Sequence, residues 1–198
     1  MSQTIQLDYN KIKERYDPEN RLESYIELLL KENRQVNLVS RETKPESAFG
    51  MALESLLPLD YLSGQIGSYL DIGSGGGFPA IPFLISGMIT GEAVLIEKTQ
   101  KKCSALNRML TRLGLTAQVL PEQFPSPSIK TKFDLITLRW VKLGPTLLEQ
   151  ISHALSSQGQ LLHYSSEPLS SDLFSRETYL FDDPQSGVTK GFTLYSKN

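Results

Sequence analysis

The chain has few of the residues that build metal centres and disulfides. Its 198 residues include one cysteine, Cys103, and two histidines. A lone cysteine cannot form an internal disulfide, and these three side chains do not have the spacing of a Cys/His zinc site. The sequence therefore predicts no metal site, and its single cysteine fits a reducing compartment.

Long apolar runs and a strong excess of one charge are also missing. No apolar stretch approaches the roughly 20 residues that span a bilayer, and no basic segment followed by an apolar one marks a signal peptide. The net charge is −2, which argues against tight nonspecific binding to DNA, although a local basic patch would still bind phosphates. We expect a cytoplasmic monomer that binds neither membrane nor DNA.

The hydrophobic pattern divides the chain into two parts that we expect to pack as one compact unit. Residues 1–66 predict an N-terminal helical extension, with one helix beginning at Asp17 as N-cap and Pro18 as first helical residue, and another after Pro45. In residues 67–198, short apolar runs alternate with amphipathic helices. This alternation predicts an α/β domain of Rossmann-like type, with a mostly parallel sheet covered on both faces.

The α/β part predicts a specific succession of elements. The predicted strands cover residues 69–72, 93–97, 117–120, 133–138 and 160–163. The predicted helices cover residues 79–86, 100–113 and 145–155, and Gly114 stands where a helix-terminating glycine belongs. Two later strands, at 177–181 and 191–195, flank a turn-rich segment and predict an antiparallel hairpin at the sheet edge.

A glycine-rich loop follows the predicted strand at residues 69–72. Residues 71–78 read DIGSGGGF, between a strand and a helix, which is the setting that gives such a motif meaning. The residues of interest are Asp71, Gly73, Gly75, Gly77 and Phe78. Glycines let the backbone turn sharply and let a ligand approach it. Glu97 ends the next strand about 20 residues later, where a carboxylate can accept both hydroxyls of a ribose.

Two registers of this loop predict different ligands. Gly75-x-Gly77-x-x-Ala80 satisfies a dinucleotide fingerprint, but it leaves extra residues after the strand and puts Pro79 in the first helical turn. The register from Asp71 starts directly at the strand end. S-adenosyl-L-methionine has no pyrophosphate, so its loop need not aim a helix N-terminus at phosphate. We therefore favour S-adenosylmethionine over a nicotinamide cofactor, with a purely structural turn as a third interpretation.

With these residues in view, the chain resembles the RsmG (GidB) family of bacterial 16S ribosomal RNA guanine-N7 methyltransferases. The most specific segment is DIGSGGGFPAIP at residues 71–82, in which Phe-Pro and Ile-Pro are more telling than the glycines. The likeness covers about residues 25–159. Its other matching segments are Asn37-Leu38, Glu54-Ser55-Leu56, Ile96-Glu97-Lys98 with Lys101-Lys102, and Phe133-Asp134 followed by Arg139.

The resemblance implies a class I methyltransferase with a mostly parallel seven-stranded sheet. It implies S-adenosylmethionine as methyl donor, S-adenosyl-L-homocysteine as product, and ribosomal RNA or the small ribosomal subunit as partner. Gly73 and Phe78 would border the cofactor, and Pro121 and Glu122 would lie beside its adenine. Arg139 would lie in or near the methyl-transfer pocket, as both a cofactor-binding and a catalytic residue. Guanine N7 carries its own lone pair, so the chemistry requires positioning and no general base.

The chain departs from the family pattern at three places. Gly50-Met51 replaces an Arg-His pair, Leu120-Pro121 replaces an arginine before an acid, and Ser165-Ser166 replaces a Lys-Gly pair. These departures favour two alternatives to ribosomal RNA methylation. One is a diverged relative that methylates another substrate, and the other is a non-catalytic module that binds cofactor or RNA.

Two further features allow a functional and a structural interpretation. The basic residues at positions 98, 101, 108 and 112 recur at helical spacing, where they either hold RNA phosphates or form the solvated face of a helix. Trp140 follows a core strand, where it either stacks on a base or packs against the protein.

Overall fold

The computed structural model describes residues 2–62 and 66–198, which form one eight-stranded sheet flanked by helices. The strands are β1 (Ser2–Thr4), β2 (Ile66–Ile72), β3 (Ile89–Ile96), β4 (Gln118–Leu120), β5 (Phe133–Leu138), β6 (Leu155–His163), β7 (Phe174–Asp182) and β8 (Thr189–Lys197). The helices are α1 (Tyr9–Tyr16), α2 (Arg21–Asn33), α3 (Pro45–Leu56), α4 (Ala80–Ile85), α5 (Gln100–Leu113) and α6 (Pro145–Ala154), with a short 3₁₀ helix at Leu57–Asp60.

The sheet order is β1-β7-β8-β6-β5-β2-β3-β4. Only β8 runs antiparallel to its neighbours among the described strands, so the prediction of a mostly parallel sheet is confirmed. The sheet has eight strands rather than seven because the polar, exposed β1 pairs with β7. The predicted hairpin of β7 and β8 forms, but β1 covers its outer strand, so the hairpin is not the sheet edge.

The start of the second helix differs from the prediction. Asp17 caps the C-terminus of α1, a helix that the hydrophobic pattern did not predict, and α2 begins only at Arg21. The Asp17 carboxylate nevertheless accepts the backbone N–H groups of Arg21 and Leu22, at 2.7 and 3.1 Å. The predicted capping side chain was correct, but the intervening turn places it four residues before the helix.

The sheet is packed on both faces, as a parallel sheet requires. Leu22, Tyr25 and Leu29 of α2 are fully buried and join one face of the sheet in a single apolar cluster. Ile136 and Leu138 of β5 face the opposite way, into a second cluster that α6 covers. No helix of the described residues is long and apolar enough to cross a membrane.

Candidate functional site

The glycine loop after β2 has a backbone that few other residues could adopt. Gly73, Gly75 and Gly77 have φ angles of 79°, 51° and 101°, in the left-handed region that favours glycine. A Cβ on Gly73 would stand 2.7 Å from Val141 Cγ2, and one on Gly77 would stand 2.6 Å from Ile81 Cδ1. Packing therefore requires glycine at positions 73 and 77, whereas at position 75 the left-handed φ alone favours it.

Hydrogen bonds to β3 and from α2 hold this loop in place. The N–H groups of Gly73 and Ser74 donate to the carbonyl of Ile96, at 2.8 and 3.0 Å. The hydroxyl of Tyr25 on α2 donates to the carbonyl of Gly76 at 3.0 Å. Helix α2 thus helps to fix the loop, a contact that no sequence motif indicated.

Glu97 lies at the end of β3, directly beside the loop, and is 7% exposed. One carboxylate oxygen accepts the N–H of Gly75 at 3.1 Å, and the other accepts the N–H of Thr99 at 2.8 Å. A carboxylate oxygen has two acceptor positions. Each oxygen therefore keeps one position for a ligand hydroxyl while the backbone fixes the side chain.

Asp71 is the next-to-last residue of β2, just before the loop, and is buried. Its Oδ1 accepts the hydroxyl of Thr137 at 2.5 Å, and its Oδ2 has no hydrogen-bond partner among the described residues. Burial disfavours the charged form and raises the pKa of Asp71 to about 7. The carboxyl thus connects β2 to β5, and the backbone carbonyl of Asp71 accepts the hydroxyl of Ser74 in the loop at 3.3 Å.

A cavity of about 250 Å³, which we call the glycine-loop cavity, opens at the carboxyl ends of β2 and β3. Of the predicted cofactor residues it brings together Gly73, Glu97 and Glu122. Its lining continues from Glu122 to Phe124 and does not include Pro121, and Gly75, Gly77 and Phe78 shape the loop outside it. Its apolar side chains Phe124, Val141 and Leu147 belong to no motif and were not predicted as site residues.

Glu122 lines this cavity. Its carboxylate accepts hydrogen bonds from the hydroxyls of Ser126 and Ser128, which stabilise the charged form and lower the pKa of Glu122.

Arg139 follows β5 and is 7% exposed. Its guanidinium donates to Glu54 Oε2 at 3.1 Å and to the carbonyl of Met51 at 2.8 Å, both on α3. The same group lies 4.6 Å from the ring centroid of Trp140 and 5.0 Å from that of Tyr164. These contacts hold a buried cation in one orientation.

A second cavity, of about 490 Å³, lies against Arg139, and we call it the Arg139 cavity. Lys190 of β8 lines it and pairs with Glu54 at 2.6 Å and with Asp183 at 2.9 Å. No motif in the sequence indicated Lys190 or Tyr164, because they come from distant segments. Met51, Ser165 and Ser166, which stand at positions where the chain departs from the family pattern, also line this cavity.

Two of the basic residues expected at helical spacing make separate contacts. Arg108 forms a bidentate ion pair with Glu32 of α2, with Nε 3.1 Å from Oε1 and Nη2 2.6 Å from Oε2. Lys98 instead lines the glycine-loop cavity. Arg108 therefore joins two helices, which favours the structural interpretation for this residue.

The sheet order, the glycine loop after β2 and the acid at the end of β3 define a class I methyltransferase fold. A solved O-methyltransferase from Bacillus cereus in complex with SAH matches it with a TM-score of 0.65 over 96% of each chain, at 15% identity. The sequence profile of the family described as rRNA small subunit methyltransferase G (GidB) matches residues 18–183. The chain belongs to this family.

Individual relatives agree with this assignment. A ribosomal RNA small subunit methyltransferase G of Laribacter hongkongensis is 36% identical over 69% of this chain, a match that spans 65% of the relative's own length. A protein of the same name from Helicobacter pylori is 29% identical over 81% of this chain and 89% of its own length.

Proposed function

We propose that the chain transfers a methyl group from S-adenosylmethionine to N7 of a guanine in 16S ribosomal RNA. The observation that carries the proposal is the position of the segment after β5. Arg139 and Trp140 line the Arg139 cavity, and the next residue, Val141, lines the glycine-loop cavity. A methyl donor in the glycine-loop cavity and an acceptor in the Arg139 cavity would therefore lie on either side of these three consecutive residues.

The residues of the glycine-loop cavity fit the cofactor. Glu97 presents acceptors suited to ribose hydroxyls, and Gly73 offers backbone without a side chain. Phe124, Val141 and Leu147 supply an apolar surface suited to an adenine ring. Asp71, Gly75, Gly77 and Phe78 would act indirectly by shaping the loop, and Pro121 by directing the segment after β4.

Arg139 would position the acceptor. S-adenosylmethionine supplies the methyl group, and N7 of guanine supplies the electron pair, so the protein needs to align the reactants and exclude water. A rigid guanidinium held by Glu54 and Met51 meets the first requirement, because it is fixed before the substrate arrives. We further propose that the protein acts as a cytoplasmic monomer on ribosomal RNA or on the small ribosomal subunit.

The test incubates the purified protein with donor labelled in its methyl group and with small-subunit RNA, free or assembled. Label in the RNA that maps to N7 of one guanine supports the proposal. Calorimetric titration with S-adenosylmethionine and with NAD accompanies it, and binding of NAD alone would contradict the assignment of the cofactor.

A different acceptor is the second candidate, because Met51, Ser165 and Ser166 change the lining of the Arg139 cavity relative to the family pattern. The same labelled donor distinguishes the two. Label that appears in protein or in a small-molecule fraction, with none in RNA, would identify the other acceptor.

A further inference from the structure

Trp140 is an exposed aromatic residue with an unusual backbone. It is 67% exposed, and it is the largest of the three exposed large apolar side chains in the described part of the chain, the others being Leu173 and Val188. Its φ angle is 58°, in the left-handed region that bulky residues rarely adopt. Such conformations persist where the surroundings impose them, and they cluster at ligand sites.

The surroundings of Trp140 fix its ring without covering it. The guanidinium of Arg139 lies 4.6 Å from the ring centroid, and Phe78 of the glycine loop meets it edge-on at 6.0 Å. Arg139 is itself held by α3. The ring therefore has fixed neighbours on the protein side, while most of its surface faces solvent.

The position of the ring relates it to both cavities. Trp140 lines the Arg139 cavity and is bonded to Val141, which lines the glycine-loop cavity. A flat group stacked on the ring would therefore lie in the larger cavity, next to the site proposed for the methyl donor. The volume of about 490 Å³ falls within the roughly 300–1,000 Å³ usual for sites that enclose small ligands.

We propose that Trp140 is the stacking platform that holds the acceptor base of the RNA in the Arg139 cavity. The inference rests on the proposed function and adds a residue that positions the substrate. Proteins recognise unpaired RNA bases by stacking them on aromatic side chains. Loss of one such contact weakens binding by roughly 10- to 100-fold.

The experiment compares three variants in the methylation assay. Trp140→Ala should raise KM for RNA by roughly 10- to 100-fold and leave the affinity for S-adenosylmethionine within about twofold of wild type. Trp140→Phe keeps an aromatic ring and should recover most of that loss. Leu173→Ala removes another exposed apolar side chain, just before the start of β7 at the opposite end of the sheet, and serves as the matched control.

Intrinsic fluorescence provides a second readout, because Trp140 is the only tryptophan in the sequence. A single-stranded RNA oligonucleotide containing guanosine should quench the emission in a saturable way, since a stacked base contacts the ring directly. Circular dichroism and thermal unfolding of each variant verify that the fold is retained.

The outcomes separate this inference from the proposed function. A Trp140→Ala variant that methylates RNA with the wild-type KM would overturn the stacking role and leave the function intact. The same conclusion would follow if the variant lost cofactor affinity and thermal stability to the same extent as RNA affinity. Saturable quenching of the wild type without methylation of any RNA would support the stacking role and contradict the proposed activity.

Discussion

Glu54 carries one buried negative charge between two cations. Arg139 pairs with one carboxylate oxygen and Lys190 with the other, and both Arg139 and Glu54 have side chains only 6% exposed. Removal of one partner from a buried pair leaves a charge with too little compensation. The remaining Lys190 moderates this effect.

The first prediction therefore concerns Arg139. Arg139→Met should lower the free energy of unfolding by about 3 kcal/mol, the lower end of the range for broken buried pairs. Urea denaturation measures the change. Arg15→Met is the matched control, because Arg15 pairs with Asp60 while 59% exposed, and it should change stability by less than about 1 kcal/mol. Equal changes in the free energy of unfolding of the two variants would show that the buried position of Arg139 adds nothing to stability.

The second prediction is a pH dependence that originates at Asp71. The pKa of this carboxyl is raised to about 7 in the folded protein, whereas the pKa of an aspartate in an unfolded chain is about 4. Between these values the folded state binds the extra proton, so the contribution of Asp71 to stability is present below about pH 4 and lost as pH rises through 7.

Asp71→Asn removes this titration. Relative to that variant, the wild type without cofactor should lose about 2 kcal/mol of stability between pH 5 and pH 7, from a linkage slope of about 1.36 kcal/mol per pH unit. Chemical denaturation at both pH values measures the difference. A difference between the two proteins that does not change with pH would contradict the raised pKa.

Among the individual site residues, those that belong to contiguous motifs could be predicted from the sequence. The glycines, Glu97 and Arg139 each follow a recognisable strand, and the strand ends bring them to one edge of the sheet. Lys190, Tyr164 and Tyr25 reach the same region from segments far apart in the chain. No local pattern marks them, because their positions follow from tertiary packing.

Among the elements, the glycine loop combines two demands on its backbone. Gly73 needs a left-handed φ, and it also needs an empty space where Val141 and the glycine-loop cavity meet. Gly114, which follows α5, also has a left-handed φ, of 63°, but a Cβ there would meet nothing within 4 Å.

The third prediction uses this contrast. Gly73→Ala should weaken S-adenosylmethionine binding at least tenfold, or about 1.4 kcal/mol, because the added methyl displaces Val141 or the ligand. Gly114→Ala should destabilise the fold by roughly 1 kcal/mol and leave cofactor affinity unchanged. Isothermal titration calorimetry measures both affinities. Similar affinities of the two variants would place the cofactor elsewhere.

The elements with strong apolar patterns were predicted in type and order, but β3 and β6 begin four and five residues earlier than predicted. Two others were missed. β1 consists of three exposed polar residues, so nothing but its partner β7 defines it as a strand. α1 buries only Ile12 and Tyr16, and this pattern is too sparse to distinguish a helix from a loop.

On the scale of the whole molecule, the helical extension and the sheet share one core. A single apolar cluster extends from Ile12 of α1 to Leu194 of β8 and includes Tyr69 and Phe83 beneath the extension. We therefore propose that residues 1–66 and 67–198 form one cooperative unit.

The fourth prediction follows from this shared core. Removal of residues 1–60 should prevent folding of the remainder, because it exposes the apolar face that α2 and α3 cover. Removal of residues 2–6 takes away only β1 and the residues beside it, and should shift the thermal midpoint by a few degrees. Scanning calorimetry with circular dichroism tests both. A folded protein from the longer deletion would show that the sheet is an independent domain.

The hydrogen bond from Tyr25 to Gly76 also limits how this protein can be recombined. The loop proposed to hold the methyl donor takes part of its support from a helix outside the α/β part. A chimera that joins residues 67–198 to the extension of another methyltransferase would lose that support unless its new helix has a hydroxyl at the position of Tyr25. We therefore expect the two parts to diverge together rather than to be exchanged as independent modules.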